Sequence, residues 1–217
     1  MPRASLRWIA TALVVASIPL AGFVWCPAAA SSARVSTARA AAACPAAWRA
    51  GWQALADQID APVYCPSWMP HPLDAKIGGP WFNGRYVEKD RSYLVSFVCQ
   101  ESTPTGAAEV HVNFRGYPGH TGVPACDDLR RIRGKLVHKR IPCFADARGQ
   151  RRLGGITATV YTANQGADQW HVLYGWRHDG SLYTVSEHVA PPYSYRQVIR
   201  NLDRMVRGLS LVRPRSD

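Results

Sequence analysis

The stretch 169–189, QWHVLYGWRHDGSLYTVSEHV, constrains the fold more than any other part of the chain. Trp170, Val172, Tyr174 and Trp176 alternate with other residues over one run. Arg177 to Gly180 (RHDG) then turns the chain into a second run, Ser181 to Val189. Period-two alternation on both sides of an Asp-Gly turn signals a β-hairpin. The same period recurs upstream. Tyr93, Val95, Phe97 and Cys99 share one face of a run, and Val110, Val112 and Phe114 share one face of the next. On that second run Glu109, His111, Asn113 and Arg115 share the other face, so it reads as a half-buried antiparallel strand. The intervening ESTPTGAA predicts a second hairpin with a longer loop. Gly155–Thr162 is a β-branched strand, and Lys135–Ile141 is an ambiguous one.

Helical periodicity appears only at the two ends of this β-rich block. Trp48, Trp52, Leu55, Ala56 and Ile59 predict a helix over Pro45–Ile59. Near the C-terminus, Ser194 and Gln197 fit a capping box. Val198, Ile199, Leu202, Met205 and Val206 form an apolar stripe behind it, and Gly208 stands at the cap position that follows. These patterns predict an α+β fold, with an antiparallel sheet of about five to six strands and N- and C-terminal helices packed on it. Between the first helix and the first predicted strand lies a proline- and glycine-rich stretch, Ala61–Gly84. Pro62, Pro66 and Pro70 hold its start extended, laying Val63, Tyr64, Trp68 and Met69 against the sheet or its edge.

The N-terminus bears on location. Arg3 and Arg7 precede 17 residues without a charge, Ile9–Trp25, and small-residue sites follow at Ala28 and Ala30. Residues 1–30 therefore read as a signal peptide or a membrane anchor. Lipid attachment at Cys26 is disfavoured by the bulky Trp25 before it. Residues 31–43, rich in Ala and Ser, read as a linker, and 44–213 as a single extracytoplasmic domain. An oxidising compartment lets disulfides persist. Of the six cysteines, Cys44 with Cys65 and Cys126 with Cys143 each close a short local segment. These pairs are the expected staples, worth about 3 kcal/mol each. Cys99 is then expected to be a buried thiol.

The resemblance lies in the PVYCPSWMP entry and in a W-x-x-x-G-x-x-Y hairpin formed by Trp176, Gly180 and Tyr183. Over Pro62–Val212 the chain is similar to a family of uncharacterised bacterial exported domains, some of which form the outer parts of anti-sigma factors. The resemblance implies sensing or binding outside the membrane, without an assigned activity.

No nucleophile elbow, H-E-x-x-H or EF-hand pattern occurs, so no catalytic residue, metal ligand or cofactor is assigned. His171, His178 and His188 are neighbours in sequence, but their spacings do not force a common metal. Charge is the stronger signal. The chain carries a net charge of +11, and between Asp127 and Arg152 nine Lys/Arg face three acids. Arg130, Arg131, Arg133, Lys135, Lys139 and Arg140 all fall between Cys126 and Cys143, predicting a stapled basic loop. Such a patch attracts anionic envelope polymer or a phospholipid surface. Without interleaved aromatics it gives no reason to expect a specific nucleic acid. The polar strand face of His111, Asn113 and Arg115 is the second candidate surface. The expected function is non-enzymatic binding or sensing at the cell envelope, with an unidentified envelope protein as a further partner class. The alternative is an envelope-directed hydrolase.

Overall fold

A computed structural model describes residues 43–79, 81–103, 106–163 and 170–215. The expected leader, residues 1–30, nearly all of the expected linker and Cys26 lie outside these residues. Helix α1 spans Ala46–Ile59 and α2 spans Tyr195–Arg207. Eleven strands are described: β1 (Val63–Pro66), β2 (Phe82–Val87), β3 (Tyr93–Thr103), β4 (Gly106–Tyr117), β5 (Ala125–Ile132), β6 (Lys135–Pro142), β7 (Gln150–Leu153), β8 (Ile156–Ala163), β9 (His171–His178), β10 (Ser181–His188) and β11 (Leu209–Val212).

Seven strands make one antiparallel sheet in the order β2-β3-β4-β10-β9-β8-β7. Strands β1 and β11 form a second, two-stranded sheet, and β5 and β6 form a third. The described residues are thus mostly β, 17 % helical and 48 % strand, and do not form an α+β fold with five to six strands. The extra strands carry no alternation for a sequence to reveal. All four residues of β1 are buried, while three of the four residues of β7 are exposed. β2 is an edge strand with exposed Phe82 and Tyr86. Period two appears only where one face is wet and the other dry.

The predicted core face holds. Val95, Phe97, Val112, Phe114, Tyr174, Trp176 and Val185 build it, with Trp52, Leu55 and Ile59 of α1 and Val198, Leu202 and Met205 of α2 packed in the same cluster. Trp52 is wholly buried, stands edge-on to Phe114 at 5.5 Å, and donates its indole N–H to the Ala75 carbonyl at 2.8 Å. The proline-rich entry becomes β1, paired to β11 with Val63 opposite Val212. Tyr64 meets Trp176 and Tyr183 edge-on at 5.2 and 4.9 Å.

Caps follow the sequence with one difference. Gln197 accepts from the Ser194 backbone N–H at 2.8 Å, completing the predicted box. Gly208 does cap α2, but at φ −100°, outside the left-handed region. A Cβ at Gly208 would meet the Ser67 hydroxyl, which would have to turn away. The Asp179–Gly180 turn has φ of 46° and 70°, both left-handed, which suits a two-residue hairpin.

Trp170 departs from its predicted place with Val172, Tyr174 and Trp176. Its φ of 61° turns it out before β9 begins, and it is 64 % exposed. Both predicted disulfides form, Cys44–Cys65 and Cys126–Cys143. Cys99 is not a thiol: it too is disulfide-bonded, to a partner outside the described residues.

Candidate functional site

The predicted basic loop is a β-hairpin. β5 and β6 pair from Ala125–Pro142 at the base to Ile132–Lys135 at the tip. Arg133 and Gly134 turn the tip with φ of 49° and 79°. Among the described residues the pair joins no other strand, and the Cys126–Cys143 bridge closes its base. Every side chain from Arg131 to Arg140 is exposed. Arg130 is placed by its backbone, opposite Val137.

Leu129, Ile132, Leu136 and Val137 on the same arm are also exposed, at 55, 53, 60 and 40 %. Register sets Arg131 against Leu136 and Ile132 against Lys135, so cations and aliphatic groups sit side by side. The sequence reading weighed only the charge and missed these four apolar residues. Arg140 is partly neutralised, 3.6 Å from Asp127 and donating to the Ala125 carbonyl at 3.0 Å. At the hairpin base, Arg140 and Arg115 line one groove of about 880 Å³ with Tyr86, Asp90 and Pro124. The structure therefore joins Arg115 to the hairpin rather than to His111.

His111 and Asn113 lie elsewhere on the helix-free face of the large sheet. The face is not plainly solvated there. Asn113 is 1 % exposed, so it supports His111 and does not meet a ligand itself. His111 Nε2 lies 3.0 Å from the Asn113 amide oxygen and 2.9 Å from Ser96 Oγ. Around it gather residues the sequence reading left scattered. Glu109 Oε1 is 2.8 Å from His188 Nδ1 and 3.3 Å from His111 Nδ1. Gln100 donates to Glu109 Oε2 at 2.7 Å. The His171 ring stacks on His188 at 5.1 Å and meets His111 edge-on at 4.7 Å. Burial opposes ionisation of Glu109, but the hydrogen bonds from Gln100 and His188 and the neighbouring imidazoles hold its carboxyl below the usual range.

Two of these neighbours had a signal in the sequence. Glu109 and His111 have the same strand parity. The Asp179–Gly180 turn fixes the hairpin register so that His171 pairs with His188. The pairing of β4 with β10, which brings His111 to them, is non-local and leaves no mark in the sequence.

Glu187 points to the opposite, helix-covered face. It is wholly buried and accepts from the Asn201 amide at 2.8 Å. Burial pushes its carboxyl up to about 8.

No family model, characterised protein or solved structure matches the chain.

Proposed function

We propose that this chain is an exported binding domain that docks on an anionic phospholipid surface through the β5–β6 hairpin. The observation that carries the reading is the pairing of exposed aliphatic and cationic side chains on one disulfide-closed arm. Exposed apolar groups in water cost free energy and mark interaction surfaces. Leu129 and Leu136 lie with Arg131 on one face of the ribbon, and Ile132 and Val137 with Lys135 and Lys139 on the other, so an arm carrying both groups on both faces suits a layer whose outer part is anionic and whose inner part is apolar. A wall polymer would use the charges alone and leave Leu129, Ile132, Leu136 and Val137 without a role. Two disulfides among the described residues support an oxidising compartment.

Co-sedimentation of the protein with vesicles tests the reading. Binding to phosphatidylglycerol vesicles, little to phosphatidylcholine, and a decline with added salt are the expected results. Replacing Arg131, Arg133 and Lys135 with Gln should weaken binding on the order of 100-fold, each cation near such a surface being worth about 1 kcal/mol. Equal binding to both vesicle types, or tighter binding to anionic polymer than to vesicles, would overturn the lipid assignment.

A further inference from the structure

We propose that Glu109, His111 and His188 form a binding site for a divalent transition ion of the zinc class. One ligand atom from each residue lies within 4.8 Å of the others, which only this group achieves among the described His, Cys, Asp and Glu residues. Two imidazoles and a carboxylate are a donor set that zinc uses where a fourth position stays open. The set favours borderline ions over calcium or magnesium, which prefer all-oxygen ligands.

The hydrogen bonds around the cluster aim the donor atoms inward. The Asn113 amide is oriented with its oxygen toward His111 Nε2, and a carbonyl oxygen can only accept. With Nε2 donating to that oxygen, Nδ1 faces Glu109 Oε1, 3.3 Å away, and in the neutral ring it can act as a ligand atom. Two acceptors facing one another repel unless a proton or a cation lies between them. The same carboxylate oxygen faces His188 Nδ1 at 2.8 Å, so both rings converge on one point. The other carboxylate oxygen is held by Gln100. This matches the pattern of metal sites, in which outer hydrogen bonds fix ring tautomer and ligand orientation. His171, 2 % exposed, walls the cluster by stacking on His188.

Access is also present. The Glu109, His111 and His188 side chains keep 22, 16 and 21 % exposure, enough for an ion to enter from solvent while the rings stay held. The site is distinct from the hairpin and stands or falls independently of lipid binding.

Calorimetric titration of the untagged, chelator-treated full chain with Zn²⁺ tests the proposal. The expected result is one ion per chain with micromolar or tighter affinity. Glu109→Gln and His188→Ala should each weaken it tenfold or more, while His178→Ala on the same hairpin leaves it unchanged. Circular dichroism checks that the variants fold. If either does not, Co²⁺ added to the parent chain provides the reading: visible d–d absorption many times stronger than that of aqueous Co²⁺, without a thiolate charge-transfer band, supports the site, and absorption no stronger than that of aqueous Co²⁺ overturns it. No saturable Zn²⁺ binding by the parent, or binding that folded Glu109→Gln and His188→Ala retain in full, would overturn it.

Discussion

Glu187 is the residue most at odds with its surroundings. It lies wholly buried among the side chains of the core face, with Asn201 of α2 on one oxygen and no hydrogen-bond partner among the described residues for the other. Tyr193 feels it too: burial first, then the nearby carboxyl, raises the phenol above its ordinary value. Below pH 4.5 the Glu187 carboxyl is protonated whether the chain is folded or not, and pH has no leverage on it. Between 4.5 and about 8 only the unfolded chain ionises there, so stability falls as pH rises through that window and then levels. Glu187→Gln removes this contribution. Chemical denaturation of both proteins at pH 5 and pH 8 should show the variant gaining on the order of 2–4 kcal/mol over the parent at the higher pH, a tenfold change in proton affinity being worth about 1.4 kcal/mol. Parallel curves for the two proteins would contradict the burial account.

At the scale of elements, the sequence revealed whatever is half-buried and local. Both long hairpins, the two helices and the Ser194–Gln197 box are where alternation, helical stripes and capping residues placed them. Strands wet or dry on both sides leave a weaker signal: β1, wholly buried, reads only as an extended entry segment, and β6, exposed almost throughout, only as an ambiguous strand. Half of the histidine cluster was legible from strand parity and turn register. The rest depended on β4 meeting β10 across a long stretch of chain.

The two staples act on different elements. Cys44–Cys65 ties the start of α1 to β1, inside the core. Cys126–Cys143 closes an arm that pairs with no other strand among the described residues. Replacing Cys44 and Cys65 with Ser should cost the main unfolding transition about 3 kcal/mol. The same change at Cys126 and Cys143 should leave that transition nearly in place and instead strip hydrogen-exchange protection from β5 and β6. Equal losses of main-transition stability from both pairs would show that the arm is integral to the body.

For the whole molecule, one sheet separates two chemistries. Its helix-covered face is an aromatic and aliphatic core. Its other face carries the Glu109–His111–His188 cluster and, where β8, β9 and β10 pass under Phe144, a small second core. The basic hairpin leaves that same side with its own apolar residues still in water. That combination, rather than net charge alone, is why the account assigns the arm to a lipid surface. The most direct measurement is binding of a variant that keeps every charge and loses the apolar groups. Leu129, Ile132, Leu136 and Val137 all become Ser, and co-sedimentation with phosphatidylglycerol vesicles is followed at low and at physiological salt. The variant should still associate at low salt, where charges suffice, and be lost at physiological salt, where the parent stays bound. Parent and variant binding alike at both salt concentrations would contradict it.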